Sequence, residues 1–278
     1  MFLINPYILQ ASGTASYLLD DYGSAVVAYS LRKVESTYSG NLIRVRRSSD
    51  NAEQDIGLSG DSLDTSALTT FVGANDGFVV SWYDQSGNGR TISQVTATNQ
   101  PKIVSSGSVV LASNGLPALL SDGNDAMLNT GFTSPTFDFT ICTTFEVPNL
   151  TTSYALYSTD TNLNQIWISR AGGSNRIYCT QGEITATKLS VGGHLSIVTA
   201  KSFGNNRMSA WEDGSNITTN QYANTSTANN GIYLLSRSSY SGICPSGTYI
   251  QEFIQFNSDL TSQVADINTD INSHYSIY

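Results

Sequence analysis

The sequence predicts an all-β protein: a sandwich of two antiparallel sheets, with short helices and a C-terminal helix. Three observations lead there. Apolar, β-branched and aromatic residues gather in short runs, some alternating with period two. Turn residues (Gly, Asn, Asp, Ser) separate these runs at hairpin-like intervals. No unit of 20–50 residues recurs, which argues against a solenoid or a propeller.

The elements follow in order. Residues 1–24 read as an arm and linker distinct from the body, residues 25–278. The arm has an apolar tip (Phe2, Leu3, Ile4, Tyr7, Ile8 and Leu9) followed by the small residues 11–16. Such a tip ahead of a flexible linker suggests docking on another surface, with pairing as an edge strand of its own domain the alternative. A short helix is compatible with residues 25–34. Residues 43–46, Ile-Arg-Val-Arg, alternate like a half-buried strand. Residues 64–72 predict a helix, because Asp64 is a good N-cap and Ala67, Leu68 and Phe71 fall on one side. Residues 78–83 form a strand that stops at Asp84-Gln85-Ser86-Gly87-Asn88-Gly89, a strong turn signal. Further strands are predicted over 139–146, 154–158, 165–169, 176–180, 195–201, 207–211, 231–236 and 249–256. The last helix runs from 259 to about 274, with Val264, Ile267 and Ile271 at helical spacing and Ser258 or Asp259 as cap.

Composition excludes several functions. The 278 residues are 40% hydrophobic and 10% aromatic, enough for one sizeable core without disulfide or metal staples. Only 13% are charged, so the polar surface is largely Ser, Thr and Asn. The net charge is −9 and the pI about 4.5, which speaks against nucleic-acid partners. The one basic cluster, Arg44, Arg46 and Arg47, reads as a solvated strand face. Cys142, Cys179 and Cys244 are isolated, and no CxxC supports a zinc site. No apolar run is long enough to span a membrane, and no membrane insertion is expected. The start of the chain lacks the basic region of a signal peptide.

The chemistry-bearing residues are sparse. His194 and His274 are the only histidines, and neither has a nucleophile motif nearby; both read as ordinary surface residues. No phosphate-binding glycine spacing occurs. No cofactor is expected. Asp122-Gly123-Asn124-Asp125 offers oxygen ligands for calcium through Asp122 and Asp125, against the commoner reading as a turn with side-chain-to-backbone bonds. Glycoside hydrolysis needs two convergent carboxylates, and Glu146, Asp160, Glu183, Glu212 and Asp213 are the candidates. Sugar binding needs exposed rings, and Trp167, Tyr178, Trp211, Tyr222 and Tyr240 are candidates, each weighed against a place in the core.

Certain stretches resemble a known family. Residues 28–94, above all Tyr83-Asp84-Gln85-Ser86-Gly87-Asn88-Gly89, are similar to the N-terminal half of the arabinofuranosidase B catalytic domain, a concanavalin A-like jelly-roll sandwich. Residues 119–125, 208–214 and 247–260 resemble a turn, a hairpin and the penultimate strand of laminin-G-like domains. The resemblance implies a glutamate nucleophile on a strand like residues 176–183, where Glu183 fits with a shift of about one residue. It implies an acid after a strand like 231–236, but Ser236-Arg237-Ser238-Ser239-Tyr240 carries no carboxylate. The adjacent cysteine pair of those enzymes is also missing. Loss of the acid removes leaving-group protonation, worth roughly 10²–10⁴-fold in rate. The expected reading is therefore the fold without the hydrolase.

The neutral polar surface, the apolar arm and the lack of an export signal resemble structural proteins of tailed bacteriophages. The leading expectation is a virion surface protein, a capsid-decoration or tail component. Its arm would hold it to other virion proteins, and a homo-oligomer, with a trimer favoured, would present the sandwich to host or environmental glycans. An arabinofuranosidase-type glycoside hydrolase is the second reading, and a cellular sugar-binding module the third.

Overall fold

The computed structural model describes residues 17–134, 138–148, 154–159, 165–171, 174–179, 192–200, 208–217, 229–236 and 243–278. In chain order the elements are α1 (Leu18–Tyr22), β1 (Ala25–Ser30), β2 (Ile43–Arg47), β3 (Glu53–Ile56), β4 (Leu58–Ser59), β5 (Ser62–Leu63), α2 (Thr65–Val72) and β6 (Gly77–Trp82). There follow β7 (Ile92–Ser93), β8 (Lys102–Ser105), β9 (Ser108–Val109), β10 (Leu119–Ser121), β11 (Met127–Ser134), β12 (Phe139–Val147) and β13 (Tyr154–Ser158). The chain continues through β14 (Gln165–Ala171), β15 (Ser174–Cys179), β16 (Gly192–Ala200), β17 (Met208–Glu212), β18 (Ser215–Asn216), β19 (Asn229–Leu234), β20 (Thr248–Phe256) and α3 (Val264–Tyr275).

All the pairings are antiparallel. In the first sheet β20 is the hub. One of its edges pairs with β12, from which β16, β17 and β18 continue outward. Its other edge takes β1 and, further along, β10. The second sheet runs β3–β2–β6–β7–β11–β19–β13–β14–β15. A corner joins the layers, because β8 pairs with β6 on one side and β10 on the other.

Strand alternation sorts the side chains between two cores. Val27, Tyr29, Trp82, Ile141, Phe145, Leu156, Ile232 and Phe253 meet between the sheets. Cys142, Leu195, Ile197, Ile254 and Phe256 face outward from the first sheet, under Leu260, Val264, Ile267 and Ile271. The same outer cluster takes in Leu18 and Leu19 of α1. The described part of the expected arm thus packs against the body, and its apolar tip, Phe2 to Leu9, lies outside the described residues.

Both predicted long helices form. Asp64 caps α2 by accepting a bond from the Ala67 N–H at 2.8 Å. The expected cap of the last helix is not Ser258 or Asp259: Asp259 accepts from the Thr261 N–H at 3.1 Å just before a short 3₁₀ turn, and α3 starts after it from Gln263 without a side-chain cap. Residues 25–30 are a strand, not a helix. All six are buried, because β1 is sandwiched between the inner core and the α3 layer, and its adjacent valines favour extended backbone. The arginine cluster is a surface face as expected: Arg44 pairs with Glu53 at 2.9 Å, and Arg47 with Asp50 at 2.7 Å.

Candidate functional site

The Asp84–Gly89 run folds into a tight loop beside β1. Both oxygens of Asp84 are used there. Oδ1 accepts from the N–H groups of Ala28 (2.9 Å) and Ser86 (3.0 Å), and Oδ2 from Ser86 Oγ (2.8 Å) and the Arg90 N–H (2.9 Å). Gly87 and Gly89 adopt φ of 79° and 67°, which an L side chain disfavours. Gln85 is buried and bridges the chain after β1, donating to the carbonyls of Ser30 and Arg32 and accepting from the Val34 N–H. The most specific sequence motif is therefore a latch for β1.

That latch forms one wall of a groove of about 570 Å³, closed by the end of α1 and residues 35–40. Asp20, Glu35, Tyr38 and Ser86 line it. The Tyr38 hydroxyl donates to the Asn41 carbonyl, and burial pushes its pKa up to about 12, so it stays a neutral donor. Carboxylate and hydroxyl oxygens around one aromatic ring are the chemistry that holds a sugar.

The other sequence candidates fall in several places. Glu183, Asp160, Tyr222 and Tyr240 lie outside the described residues. Trp167 and Tyr178 are direct partners in the β14–β15 register. Trp211 is partly buried and packs against the cluster under α3. Glu146, at the end of β12, lines a smaller cavity of about 150 Å³ and accepts from the Ser113 N–H at 2.7 Å. Asp122 and Asp125 form the expected turn. Asp125 Oδ2 accepts from the Asp122 N–H at 2.7 Å, and Asp122 Oδ1 from the Asn124 N–H at 2.8 Å. Burial pushes the Asp125 carboxyl up to about 6.

The histidines correct the sequence reading. His194 is buried and lies against Phe145 on the inner face of β16, with ring centroids 5.7 Å apart. His274 is half-buried, and burial lowers its pKa. His194 Nδ1 is 2.8 Å from Glu212 Oε1 and 3.2 Å from Asp213 Oδ2. Burial is the largest influence on Glu212 and pushes its pKa up to about 7, against the opposing pull of His194. Alternation was the signal for this cluster: Ala210 faces the inner core, so Glu212, two residues on, faces it too.

Residues 21–127 match the family model of the catalytic domain of α-L-arabinofuranosidase B. Particular solved structures share the fold. A GH54 α-L-arabinofuranosidase soaked with a cyclic sulfate inhibitor superposes with a TM-score of 0.71 at 17% identity, over 90% of this chain and 63% of that one. An arabinofuranosidase complexed with arabinofuranosyl-α-1,2-xylobiose gives 0.63 at 18% identity, over 88% of this chain and 62% of that one. The chain thus spans less than two thirds of the length of these enzymes. No curated protein matches it by sequence.

These findings overturn two expectations. The virion structural role and the absence of enzymatic activity both give way, because the family model matched over residues 21–127 is that of an arabinofuranosidase catalytic domain. The virion expectation rested on the apolar arm, the neutral polar surface and the start of the chain, and the non-enzyme expectation on residues 236–240 and a missing cysteine pair. The similarity spans the sandwich.

Proposed function

We propose that this chain is a glycoside hydrolase domain that cleaves α-L-arabinofuranosides. The observation that carries the reading is the family-model match over residues 21–127, in a sandwich that superposes on GH54 enzymes over 90% of its length. Its finer assignment is the concanavalin A-like jelly roll, supported by the two antiparallel layers with helices on one outer face. Glu183 is the proposed nucleophile. It would attack the anomeric carbon to form a covalent glycosyl intermediate, which water then hydrolyses. The proton donor lies elsewhere than residues 236–240, which hold no carboxylate. The arabinose-bearing polysaccharide is the glycan partner.

Hydrolysis of 4-nitrophenyl α-L-arabinofuranoside tests this directly. The purified chain should release nitrophenol, and Glu183→Gln should slow it by about 10³-fold or more, with the fold unchanged by circular dichroism. Wild-type release no faster than in buffer would sink the enzymatic reading. Full activity in Glu183→Gln would remove Glu183 from its role.

A further inference from the structure

We propose that His194, Glu212 and Asp213 form a divalent transition-metal site, with zinc the best-fitting ion. The three side chains come from β16 and from the end and turn of β17, and one ligand atom from each lies within 4.8 Å of the others. Their order is fixed by the sheet. Ser196 pairs with Glu212 in the register, so His194 and Glu212 lie on the same inner face. Asp213 sits in the turn at φ 49°, held from both sides. Its N–H donates to the Leu195 carbonyl, and its Oδ1 accepts from the Leu195 N–H, each at 2.9 Å. Oδ2 is left facing His194 Nδ1 at 3.2 Å.

The independent observation is an unsatisfied buried carboxylate. The Glu212 side chain is 10% exposed, and neither of its oxygens has a hydrogen bond of acceptable geometry. The neighbouring Ser196 Oγ is buried and unsatisfied as well. A buried ionised carboxylate without donors costs several kcal/mol. A proton on Nδ1 is aligned for Asp213, and at 2.8 Å it meets Glu212 as an ion pair without hydrogen-bond geometry, so both Glu212 oxygens stay without a hydrogen bond. Without that proton, three lone-pair donors converge on one another. A cation satisfies all three at once. Zinc binds N and O ligands at about 2.0–2.1 Å, so the edges of its tetrahedron are about 3.3 Å. The observed 2.8 and 3.2 Å separations are near that edge, and an imidazole ligand speaks against calcium, which takes oxygens. One imidazole and two carboxylates are a borderline N/O set suited to zinc or manganese. The ion would clip the β16–β17 hairpin at the sheet edge.

The test uses the purified chain, stripped with a chelator and titrated with ZnCl₂ by calorimetry, and separately with CoCl₂ while recording visible absorption. One ion per chain and the intense d–d bands of a four-coordinate cobalt site are expected. Glu212→Gln keeps the volume and removes the charge, and should weaken zinc binding by about tenfold or more. Asp213→Asn, in an exposed turn, should do the same and serves if Glu212→Gln fails to fold. Zinc binding of equal strength in both variants would place the ion elsewhere and overturn the proposal, as would the absence of stoichiometric binding in the wild type.

Discussion

At the scale of single residues, the latch around Asp84 is the clearest link from sequence to structure. Four donors converge on one carboxylate, three of them backbone N–H groups. Asp84→Ala should therefore lower stability by about 3 kcal/mol, read as a shift in the denaturant midpoint with an unchanged slope. Asp125 behaves oppositely. Its folded pKa, about 6, lies above the unfolded value near 3.9, so the contribution it makes is greatest below pH 4 and is lost as pH climbs through 6. Asp125→Asn keeps an oxygen for the Asp122 N–H and removes the buried charge. It should raise the melting temperature at pH 7.5, by up to about 2 kcal/mol of stability, and the advantage should vanish at pH 4. An equal gain at both pH values would mean that the charge is not responsible. The Gly87 and Gly89 turn was readable from the sequence. The bridging role of Gln85 was not, because its three partners lie more than 50 residues away.

At the scale of elements, β20 shows why a strand can be predicted while its role cannot. Its residues are buried on both faces except for Tyr249, which is partly covered, as a central strand requires. Glu252 faces the α3 layer and is fully buried there. Arg32 Nε meets it at 2.9 Å, and Arg32 also reaches Asp270 of α3 at 2.9 Å. Ser30 Oγ donates to Glu252 at 2.7 Å. The Glu252 negative charge holds the Arg32 guanidinium charged despite the burial that opposes it. Arg32→Met strands that carboxylate and should cost about 3–5 kcal/mol by chemical denaturation. A loss under 1 kcal/mol would show that water reaches Glu252. The β11–β19 pairing carries a register shift, and Gly231 sits within it at φ 70°. A Cβ there would stand 2.5 Å from the Asn129 carbonyl oxygen. Gly231→Ala should therefore cost more than about 2 kcal/mol, where a Gly→Ala change at a compatible site stabilises. The strand expected at 231–236 runs over Asn229–Leu234 instead, starting before the register shift.

At the scale of the whole molecule, the first sheet has two covered faces, and α3 provides the outer cover. Deleting residues 260–278 would uncover Ile254, Phe256, Ile197 and Cys142 together. The truncated chain should lose its cooperative thermal transition and bind a hydrophobic dye such as ANS. Retention of a sharp transition would make α3 an accessory. Cys142 and Cys244 are buried free thiols whose pKa values burial raises well above the ordinary range, so neither should react with a thiol reagent until the chain unfolds.

By itself the sequence determined the fold class, the β-strand periodicity, the helix at 65–72 and the helix that closes the chain. Those features are local: alternation, capping and turn residues act over a few positions. Only the tertiary structure decided which carboxylates meet. His194, Glu212 and Asp213 converge because β16 and β17 pair in one register. Arg32 meets Glu252 across 220 residues of chain. Burial then shifted their ionisation. Charge pairing and desolvation depend on what lies within a few ångströms in space, and alternation along a strand gives the face but not the partner.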